Sequence, residues 1–423
     1  MAIVSLLVFL GIVVLAFVRK TNVGVLAIAA ALVLCRIAGL PDKTVVSGIS
    51  ASMFATLAGI TLLFSIVSET GALELLAKKI VAMVGKKLWL IPVALFLAGF
   101  IVAGIGPGAV PALAIIPALG VAVALEVGYN PLMLGMIGCL GLCGGRMTPI
   151  TPEAAIIEGS AQAAGISGVM PTVMVCNIVL GIVASIIFFF VWKGHKVKPN
   201  EEALSVSRTQ KFNGQQIIAL VSILLMLVLL IGFKMNIGVA PFVVAALLLV
   251  FGIGDAGKAI KAMPWGTIIM VLGVGSLVNV VNELGGIEIM SNGLASIMNR
   301  FSAGPVMGLS AGLLSLVSSA LGVVYPTMMP MCPDIAAQVG GVNPVALMAA
   351  VGAGGSLAGF SPMSTGGALL IAALGNTIKN FSKEDENKAF VQLLIVAASC
   401  LLLIAVMAAF VFNPIANVMH PMG

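Results

Sequence analysis

Residues 104–152 read GIGPGAVPALAIIPALGVAVALEVGYNPLMLGMIGCLGLCGGRMTPITP, and residues 317–365 read VSSALGVVYPTMMPMCPDIAAQVGGVNPVALMAAVGAGGSLAGFSPMST. A shift of 213 residues aligns several landmarks of these stretches: Pro117 with Pro330, Gly128 with Gly341, and Thr148 with Ser361. Each stretch interrupts apolar sequence twice with glycine, serine or proline. Irregular backbone at membrane depth is tolerated only where it is buried in protein or lines a wet cavity. Paired interruptions in two halves of a chain therefore predict a transporter's binding site.

Composition places the chain in the membrane class. Of its 423 residues, 61% are hydrophobic and 9% are charged, whereas soluble domains average about 45–50% apolar and about 25% charged residues. The net charge of +6 does not indicate a nucleic-acid partner, because the basic residues lie in short gaps between apolar runs. The six cysteines fit neither a disulfide framework nor a zinc site. We expect a multi-pass protein of the inner (plasma) membrane, surrounded by the lipid bilayer.

Apolar runs of about 20 residues can cross the hydrocarbon core of a membrane. The sequence has ten such runs, two of them broken: 2–18, 23–40, 50–69, 130–163 (broken), 169–192, 215–233, 237–253, 264–282, 343–376 (broken) and 390–412. Two further segments, 88–127 and 304–341, each have two apolar arms that meet at a small-residue tip. Each segment is either two full crossings or one re-entrant hairpin.

The distribution of basic residues predicts the orientation. With the N-terminus outside, most of the 21 lysine and arginine residues fall in cytoplasmic loops, as the positive-inside rule requires. The outer loops keep only four: Arg36, Lys43, Lys234 and Arg300. Replacing each hairpin by two crossings leaves these sides unchanged, so charge predicts orientation but not re-entrance.

These patterns predict an all-α polytopic membrane protein built from two inverted repeats. Residues 1–192 and 214–423 form the repeats, and 193–213 form a cytoplasmic linker. Each repeat has five transmembrane crossings, one re-entrant hairpin and one broken helix. Because five is an odd number, the repeats must be inverted relative to each other. Short amphipathic helices over 72–86 and 286–300 precede the hairpins, and the first is either a hinge collar or a passive connector.

The four interruptions predict the site. A helix start presents unpaired N–H groups and attracts anions, whereas a helix end presents free carbonyls that suit a hard cation. One reading of any single interruption is a packing kink, but four in matched places indicate transport. The predicted substrate-binding residues are Gly106, Pro107, Gly108, Arg146, Thr148, Thr151, Ser318, Ser319, Ser361, Ser364 and Thr365.

Arg146 is the charged residue that stands out, because it lies at the end of an apolar helix within the first broken helix. Its fork can hold a substrate carboxylate in bidentate fashion. The alternative is a structural pair with Glu153 or capping of free carbonyls. Glu153 opens the next helix and is also a candidate carrier of a coupling proton, while Asp334 is more typical of a pair or cap near the hairpin base.

Enzymatic chemistry is not indicated. The two histidines, His195 and His420, lie in a loop and at the C-terminus, and no HExxH, P-loop or GxSxG motif is found. We expect no catalytic residue and no cofactor, with sodium as the coupling ion.

At these residues the chain resembles the ion transporter superfamily of secondary carriers, to which the divalent anion–sodium symporters belong. Within it, the chain looks most like the MatC-like dicarboxylate (malonate) carriers. The resemblance covers nearly the whole length and lies in GIGPGAVPALAIIP, GYNP, GGRMTPITPEAAI, SSALGVVYPTMMP, GVNP and GSLAGFSPMSTGGALLIA. In the symporters the hairpin tips carry Ser-Asn-Thr, whereas here they are Gly106-Pro107-Gly108 and Ser319-Ala320-Leu321.

The resemblance implies a homodimer, an elevator-like motion and two sodium sites. In family terms, one ion lies between the first tip and the first broken helix, and the other between the second tip and the second broken helix. The implied sodium ligands are Gly106, Gly108, Gly145, Thr148, Ser318, Ser319, Ala358 and Ser361.

The predicted function is secondary active transport of a small dicarboxylate across the inner membrane, coupled to sodium or protons. The neutral hydroxyl and carbonyl groups of the interruptions favour sodium. The first alternative is the large membrane subunit of a TRAP-type carrier, which needs a separate binding protein. A channel or a membrane-embedded enzyme is the second alternative.

Overall fold

A computed structural model describes residues 1–19, 21–84, 87–197 and 211–421. These residues form helices and connecting loops, with no strand among them. Seven helices are long and apolar enough to cross a membrane, and six further apolar helices have 10–17 residues. The all-α polytopic class is therefore confirmed. The middle of the predicted linker, 198–210, lies outside the described residues.

Ten α-helices occupy the described part of the first half: α1 Ala2–Arg19, α2 Val23–Ala38, α3 Lys43–Ser47, α4 Ala51–Glu69, α5 Ala72–Ala82, α6 Ile91–Gly104, α7 Ala109–Val127, α8 Pro131–Gly145, α9 Pro152–Ala163 and α10 Met170–Val191. The helix starts follow the sequence signals. Asn22 caps α2 through Gly24 N, and Asn130 caps α8 through Met133 N, ahead of Pro131 at the first helical position.

Twelve α-helices occupy the described part of the second half: α11 Gly214–Leu227, α12 Ala240–Val250, α13 Ala256–Ala262, α14 Trp265–Glu283, α15 Gly286–Ser296, α16 Ala303–Val317, α17 Tyr325–Met328, α18 Met331–Val339, α19 Pro344–Leu357, α20 Thr365–Thr377, α21 Lys383–Met407 and α22 Asn413–Met419. Asn343 caps α19 as Asn130 caps α8, again ahead of a proline. Asn236 accepts from Gly238 N in the way that Asn22 accepts from Gly24 N.

One group of helices, called the frame here, consists of α1–α5 and α11–α15. Helices of one half pack on helices of the other within the frame, in two matched sets. The helix α2 packs on α14 and α12 packs on α4; likewise, α1 packs on α15 and α11 packs on α5. Glycines allow the closest approaches, since a Cβ on Gly24 would meet the backbone of Met270 at 2.5 Å and one on Gly238 would meet the backbone of Thr56 at 2.9 Å.

The other group, called the core here, consists of α6–α10 and α16–α22. The helix α6 packs on α8, α16 packs on α19, and α10 contacts both α8 and α19. The two halves also meet where α7 packs on α20 and α17 on α9. Glycines of α8 bring it against α6, since a Cβ on Gly141 would meet Phe100 N at 2.8 Å. The core therefore holds all four interruptions close together.

The two hairpins differ in their second arms. In the first half α7 is one helix of 19 residues with Pro117 inside it. In the second half the matching arm consists of a π-helical turn over Ala320–Val324, then α17 and α18. Three prolines, Pro326, Pro330 and Pro333, lie in this arm, and each removes a backbone donor. The divided arm has three prolines against two in α7, Pro111 and Pro117.

Candidate functional site: a cavity between two hairpin tips and two broken helices

A cavity of about 250 Å³, called the central cavity here, lies where both tips and both broken helices meet. Its polar lining groups are Arg146, Thr267, Ser315, Ser318, Ser319, Ser356, Ser364 and Thr365. The remaining lining is apolar, with Leu142 and Cys143 from the first half and Leu321 and Phe360 from the second. The cavity thus combines one cationic side chain with a set of neutral hydroxyls.

The first tip is fastened to the first broken helix by two hydrogen bonds. Thr148 Oγ1 donates to Gly104 O at 2.6 Å, which satisfies a carbonyl at the end of α6. Ala109 N, the first N–H of α7, donates to Glu153 Oε1 at 3.0 Å. Gly108 lies between them with φ +71 and ψ −157, and a Cβ there would collide with the Glu153 carboxylate. Side chains of the first broken helix therefore bond to both helix ends at the first tip, the end of α6 and the start of α7.

Arg146 and Glu153 form a buried ion pair. Arg146 Nη2 lies 3.1 Å from Glu153 Oε1, and the side chains are 11% and 1% exposed. Thr151 holds the backbone between them, because its hydroxyl donates to Arg146 O at 2.6 Å and accepts from Ala154 N at 3.3 Å. A charged pair this deep needs close mutual compensation, because unpaired charges are costly in a membrane interior. The structural pair that the sequence offered as an alternative is therefore present.

Arg146 keeps donors for a ligand. Its Nε is buried and has no hydrogen-bond partner among the described residues, and the guanidinium stands 5.8 Å from the ring centroid of Tyr325. Tyr325 is fully buried and bonds through its hydroxyl to Gly352 O at 3.3 Å and to Ser356 Oγ at 3.4 Å. A residue of the second half thus supports the arginine of the first half at the cavity wall.

The second tip and second broken helix are built from serine. Ser319 Oγ accepts from Gly322 N at 3.1 Å and so caps the start of the returning arm. Ser318 Oγ donates to Leu314 O at 2.6 Å. In the broken helix, Ser364 Oγ donates to Ser361 O at 2.8 Å and also to Gly359 O. Ser318 and Ser364 thus donate their protons to backbone carbonyls, which leaves their oxygen lone pairs free to accept.

The start of α20 differs from the other three helix starts at the interruptions. Its N-cap Ser364 makes no side-chain hydrogen bond to the helix, whereas Glu153, Thr151 and Ser319 cap the other three. Thr365 and Gly366, the first two residues of α20, line the central cavity. An uncapped helix start carries unpaired N–H groups and a partial positive charge. The cavity therefore has a second anion-attracting feature besides Arg146.

The predicted site residues divide into two sets. Arg146, Ser318, Ser319, Ser364 and Thr365 line the central cavity. The others lie in the tips and broken helices outside that lining: Gly106, Pro107, Gly108, Gly145, Thr148, Thr151, Ala358 and Ser361. Asp334 lies on an exposed face of α18, away from the cavity. Their proposed sodium and substrate roles stay predictions.

Sequence reasoning missed Ser315, Ser356 and Tyr325. Ser315 donates to Gly355 O at 3.1 Å inside the wall of the cavity. Ser315 and Ser356 lie in continuous apolar helices, and Tyr325 follows the π-helical turn of the divided second arm. A single serine or tyrosine gives no signal as strong as a glycine or proline interruption. A shift of 213 residues does not identify them either, since the residues it aligns with Ser315, Ser356 and Tyr325 are Val102, Cys143 and Ala112.

Another, wider cavity of about 530 Å³ continues from the second tip. It shares Ser318, Ser319, Ser364 and Thr365 with the central cavity and extends past Met270 to the end of α1 and the start of α2. By the charge pattern these helix ends lie on the cytoplasmic side. The central cavity thus continues, along the second tip and second broken helix, toward the side of the membrane that the charge pattern predicts to be cytoplasmic.

Comparisons with known proteins now decide the family. A model of the CitMHS family, described as citrate transporter, matches residues 12–354. The chain belongs to the CitMHS citrate transporter family. The match runs from α1 into α19, so it includes both tips and the first broken helix. No curated protein sequence matches the chain. Family membership supports a carrier rather than an enzyme, and the match gives no support to a TRAP-type subunit.

Two solved structures share the fold. The YdaH transporter of Alcanivorax borkumensis has a TM-score of 0.62 and 13% identity, with 90% of this chain and 89% of that chain covered. MtrF of Neisseria gonorrhoeae, from a class of antimetabolite efflux pumps, has a TM-score of 0.59 and 14% identity, with 87% and 82% covered. At this identity the likeness concerns the fold alone. The MatC-like branch stays a prediction.

Proposed function

We propose that this CitMHS-family protein is a secondary transporter for a small anion with two or more carboxylate groups, citrate or a dicarboxylate such as malonate. The observation that carries the proposal is the presence of Arg146 and the open start of α20 in one cavity. A guanidinium fork accepts one carboxylate in bidentate geometry. A helix start accepts a second anionic group.

The size and chemistry of the central cavity suit a compact polar solute. Its volume of about 250 Å³ is below the roughly 300–1,000 Å³ of pockets for drug-sized ligands. The hydroxyls of Ser319 and Thr365 can donate to the remaining oxygens of a citrate or dicarboxylate. The family name supports citrate, and the MatC-like resemblance supports a dicarboxylate.

Coupling to a sodium gradient is part of the proposal, with protons as the alternative. The cavity oxygens are neutral hydroxyls, which are ligands for a hard cation and release no proton on binding it. Among the described residues no cluster of three or more His, Cys, Asp or Glu side chains could hold a divalent metal.

The division into frame and core supports a proposal of alternating access. The core carries both tips and both broken helices, and the wider cavity lies between the core and the α1, α2 and α14 helices of the frame. Movement of the core against the frame, in the inner membrane and within a homodimer, would carry the site across the bilayer in an elevator-like manner. The cytoplasmic direction of the wider cavity supports an inward-facing arrangement.

Uptake by purified protein in liposomes tests the proposal. Labelled citrate, malonate and succinate are offered under an inward sodium gradient, an inward proton gradient or neither. We expect saturable uptake of at least one carboxylate with the sodium gradient, and competition by the other carboxylates but not by a monocarboxylate such as acetate. Equal accumulation in protein-free liposomes would contradict transport, and uptake driven only by the proton gradient would contradict sodium coupling.

A further inference from the structure

One residue of the frame reaches the central cavity. Most of the cavity lining comes from the core, from α7, α8, α16, α19, α20 and the interruptions between them. Thr267 also lines it, and Thr267 lies in α14, a helix of the frame. Among the described lining residues it is the one that the frame contributes. The proposed substrate site is therefore completed by a side chain that does not belong to the core.

Thr267 lies where the frame meets both hairpins. A neighbouring pocket of about 410 Å³ extends from the central cavity between α4, α7 and α13. Val110 of the first hairpin, Thr267 of the frame and Leu321 of the second tip line both spaces. These three residues form the partition between the pocket and the cavity. Thr267 is the polar member of this partition, because the other two are aliphatic.

The helix α14 is fastened to the frame beside Thr267 and further along its length. Asn22, which precedes α2, donates through Nδ2 to Gly266 O at 2.8 Å. Ser276 Oγ donates to Val45 O of α3 at 2.7 Å. Groups held on a rigid helix keep their position more precisely than groups on a loop. The position of the Thr267 hydroxyl is thus set by the frame.

One face of α14 follows the second tip. The helix packs against the π-helical turn of the tip, and a Cβ on Gly322 would meet Met270 Cγ at 2.7 Å. Thr267 and Met270 are three residues apart, so they share this face. Met270 lines the wider cavity and Thr267 lines the central cavity. Movement of the core would carry the tip along this face and take the site away from Thr267.

The Thr267 hydroxyl is open to a ligand. Thr61, inside α4, donates to Leu57 O four residues earlier at 2.7 Å. Thr267 has no such acceptor, because the residue four positions earlier is Met263, which precedes α14 and has extended backbone. No hydrogen bond of its side chain is found in the described part of the chain. A half-buried hydroxyl at the cavity wall can therefore donate its proton to an anion.

We propose that Thr267 is a substrate-binding residue of the frame, and that its hydroxyl donates to an oxygen of the anion held at Arg146. The inference rests on the proposed function, because it needs a carboxylate in the central cavity and a core that moves. The bond exists only while the core is docked as in this structure. A contact made in one arrangement stabilises that arrangement relative to the others. Thr267 thus raises substrate affinity and holds the loaded core until the bond breaks.

Substitutions of similar size test the contact. Thr267→Val removes the hydroxyl, and we expect the affinity for citrate or malonate, measured by calorimetric titration, to fall about tenfold, as for a lost hydrogen bond to a charged group. Thr267→Ser restores a hydroxyl and should stay within about twofold of the wild-type affinity. Thr61→Val is the matched control, because Thr61 is a frame threonine that lines the neighbouring pocket and not the central cavity.

The maximal exchange rate separates substrate contact from a structural role. Liposomes are loaded with saturating unlabelled carboxylate and placed in saturating labelled carboxylate, so that the loaded core moves in both directions. We expect Thr267→Val to exchange at the wild-type rate or faster, because it loses a contact that holds the loaded core in one arrangement. A defect in the packing of α14 would lower this rate together with the affinity.

The outcomes distinguish this inference from the proposed function. Wild-type affinity in Thr267→Val would overturn the contact and leave the carboxylate carrier in place. So would a joint loss of affinity and exchange rate, or a Thr267→Ser protein as weak in binding as Thr267→Val. Failure of both citrate and malonate to bind the wild-type protein would remove the proposed function and this inference with it.

Discussion

Among single residues, Arg146 has the largest part in the proposed substrate site. It is the basic side chain that lines the central cavity, and the planar fork has both a protein partner and a free Nε. Lysine keeps the charge but lacks the fork. The geometry of the donors, rather than charge alone, is what the proposed substrate site uses.

Arg146→Lys should weaken substrate binding about ten- to a hundred-fold, since a hydrogen bond to a charged group contributes about 1.5–3 kcal/mol. Calorimetric titration with the transported carboxylate measures the change. Arg300→Lys is the matched control, because Arg300 is exposed, lies outside the central cavity and stands over the ring of Phe301. Unchanged affinity in Arg146→Lys would rule out bidentate contact.

We expect Tyr325 to position Arg146 through its ring, and not to bind a substrate carboxylate itself. Tyr325→Leu removes the ring face and the hydroxyl, and we expect a several-fold rise in KM for uptake, since a buried cation–ring contact contributes about 1–2 kcal/mol. Tyr325→Phe keeps the ring and should have the smaller effect. Tyr129→Phe, at the other tyrosine of the chain, should leave KM unchanged. A larger loss for Phe than for Leu at position 325 would contradict the role of the ring.

Gly108 is needed at the first tip for two physical reasons. Its backbone has φ +71 and ψ −157, a region that only glycine adopts readily, and a Cβ would collide with the Glu153 carboxylate. Gly108→Ala should therefore lower the thermal unfolding temperature and uptake together. Gly128→Ala is the control, because its φ is +84 but nothing lies within 4 Å of an added Cβ. Equal losses at both positions would show that strain, and not the Glu153 contact, dominates.

The sequence allowed the glycine, proline and charged residues of the site to be found, but not their partners. Arg146 is visible as a charge at the end of an apolar helix. Tyr325 and Ser356 are not visible, because their importance arises from helices that are distant in sequence and meet only in the folded chain. For the same reason the sequence left the Arg146–Glu153 pair as one of two alternatives, and only the packing of α9 against the first tip decides it.

At the scale of elements, the first tip and the first broken helix act as one unit. Thr148 connects the end of α6 to the interruption through Gly104 O, and Glu153 connects the start of α7 to it. The hairpin and broken helix are thus cross-linked at both of the hairpin's open helix ends. Movement of one without the other would expose buried backbone groups.

Thr148→Val should lower stability by about 1–3 kcal/mol, the cost of leaving a buried acceptor unpaired. Thermal unfolding in detergent, monitored by helix content, measures the effect. Thr56→Val is the control, because Thr56 donates to Ser52 O within its own helix and so connects no second element. Indistinguishable unfolding of the two variants would show that the Thr148–Gly104 bond does not fasten the hairpin.

Most elements follow from local sequence, and the exceptions have local causes. The apolar runs predict the long helices because hydrophobic length is the dominant signal in a membrane protein. The last long helix begins at Lys383, earlier than the predicted 390, because Ser382 and Asp385 form a capping box that starts the helix in a charged segment. The short helices α3 and α13 lie in connections too short and mixed in polarity for the apolar pattern to predict, and α22 continues the last long helix beyond a π-helical turn at Ala408–Phe412.

At the scale of the whole molecule, the orientation in the membrane is open to direct test. The six native cysteines are all buried, so we expect little labelling of the native protein, and single introduced cysteines can be detected above it. We expect Asp42→Cys and Pro421→Cys to react with an impermeant reagent from outside, and Lys379→Cys only after the membrane is opened. Labelling of position 421 from the cytoplasm alone would contradict an extracytoplasmic C-terminus.

The two halves contribute unequal parts to one site. The first half provides the ion pair, and the second provides the hydroxyls and the uncapped start of α20. A carrier for a polycarboxylate needs both, because one carboxylate on Arg146 alone would not distinguish citrate from acetate. The unequal halves explain why alignment by a fixed shift identifies the interruptions but not the chemistry of each.

One experiment tests directly whether the protein is a carboxylate carrier that binds its substrate at Arg146. It measures uptake of labelled citrate and malonate into liposomes by the wild-type protein and by Arg146→Ala under the same inward sodium gradient. We predict saturable uptake by the wild-type protein that Arg146→Ala reduces at least tenfold, while the variant retains the wild-type elution profile on size-exclusion chromatography. Wild-type uptake rates in a well-folded Arg146→Ala protein, or no carboxylate uptake by the wild-type protein, would contradict it.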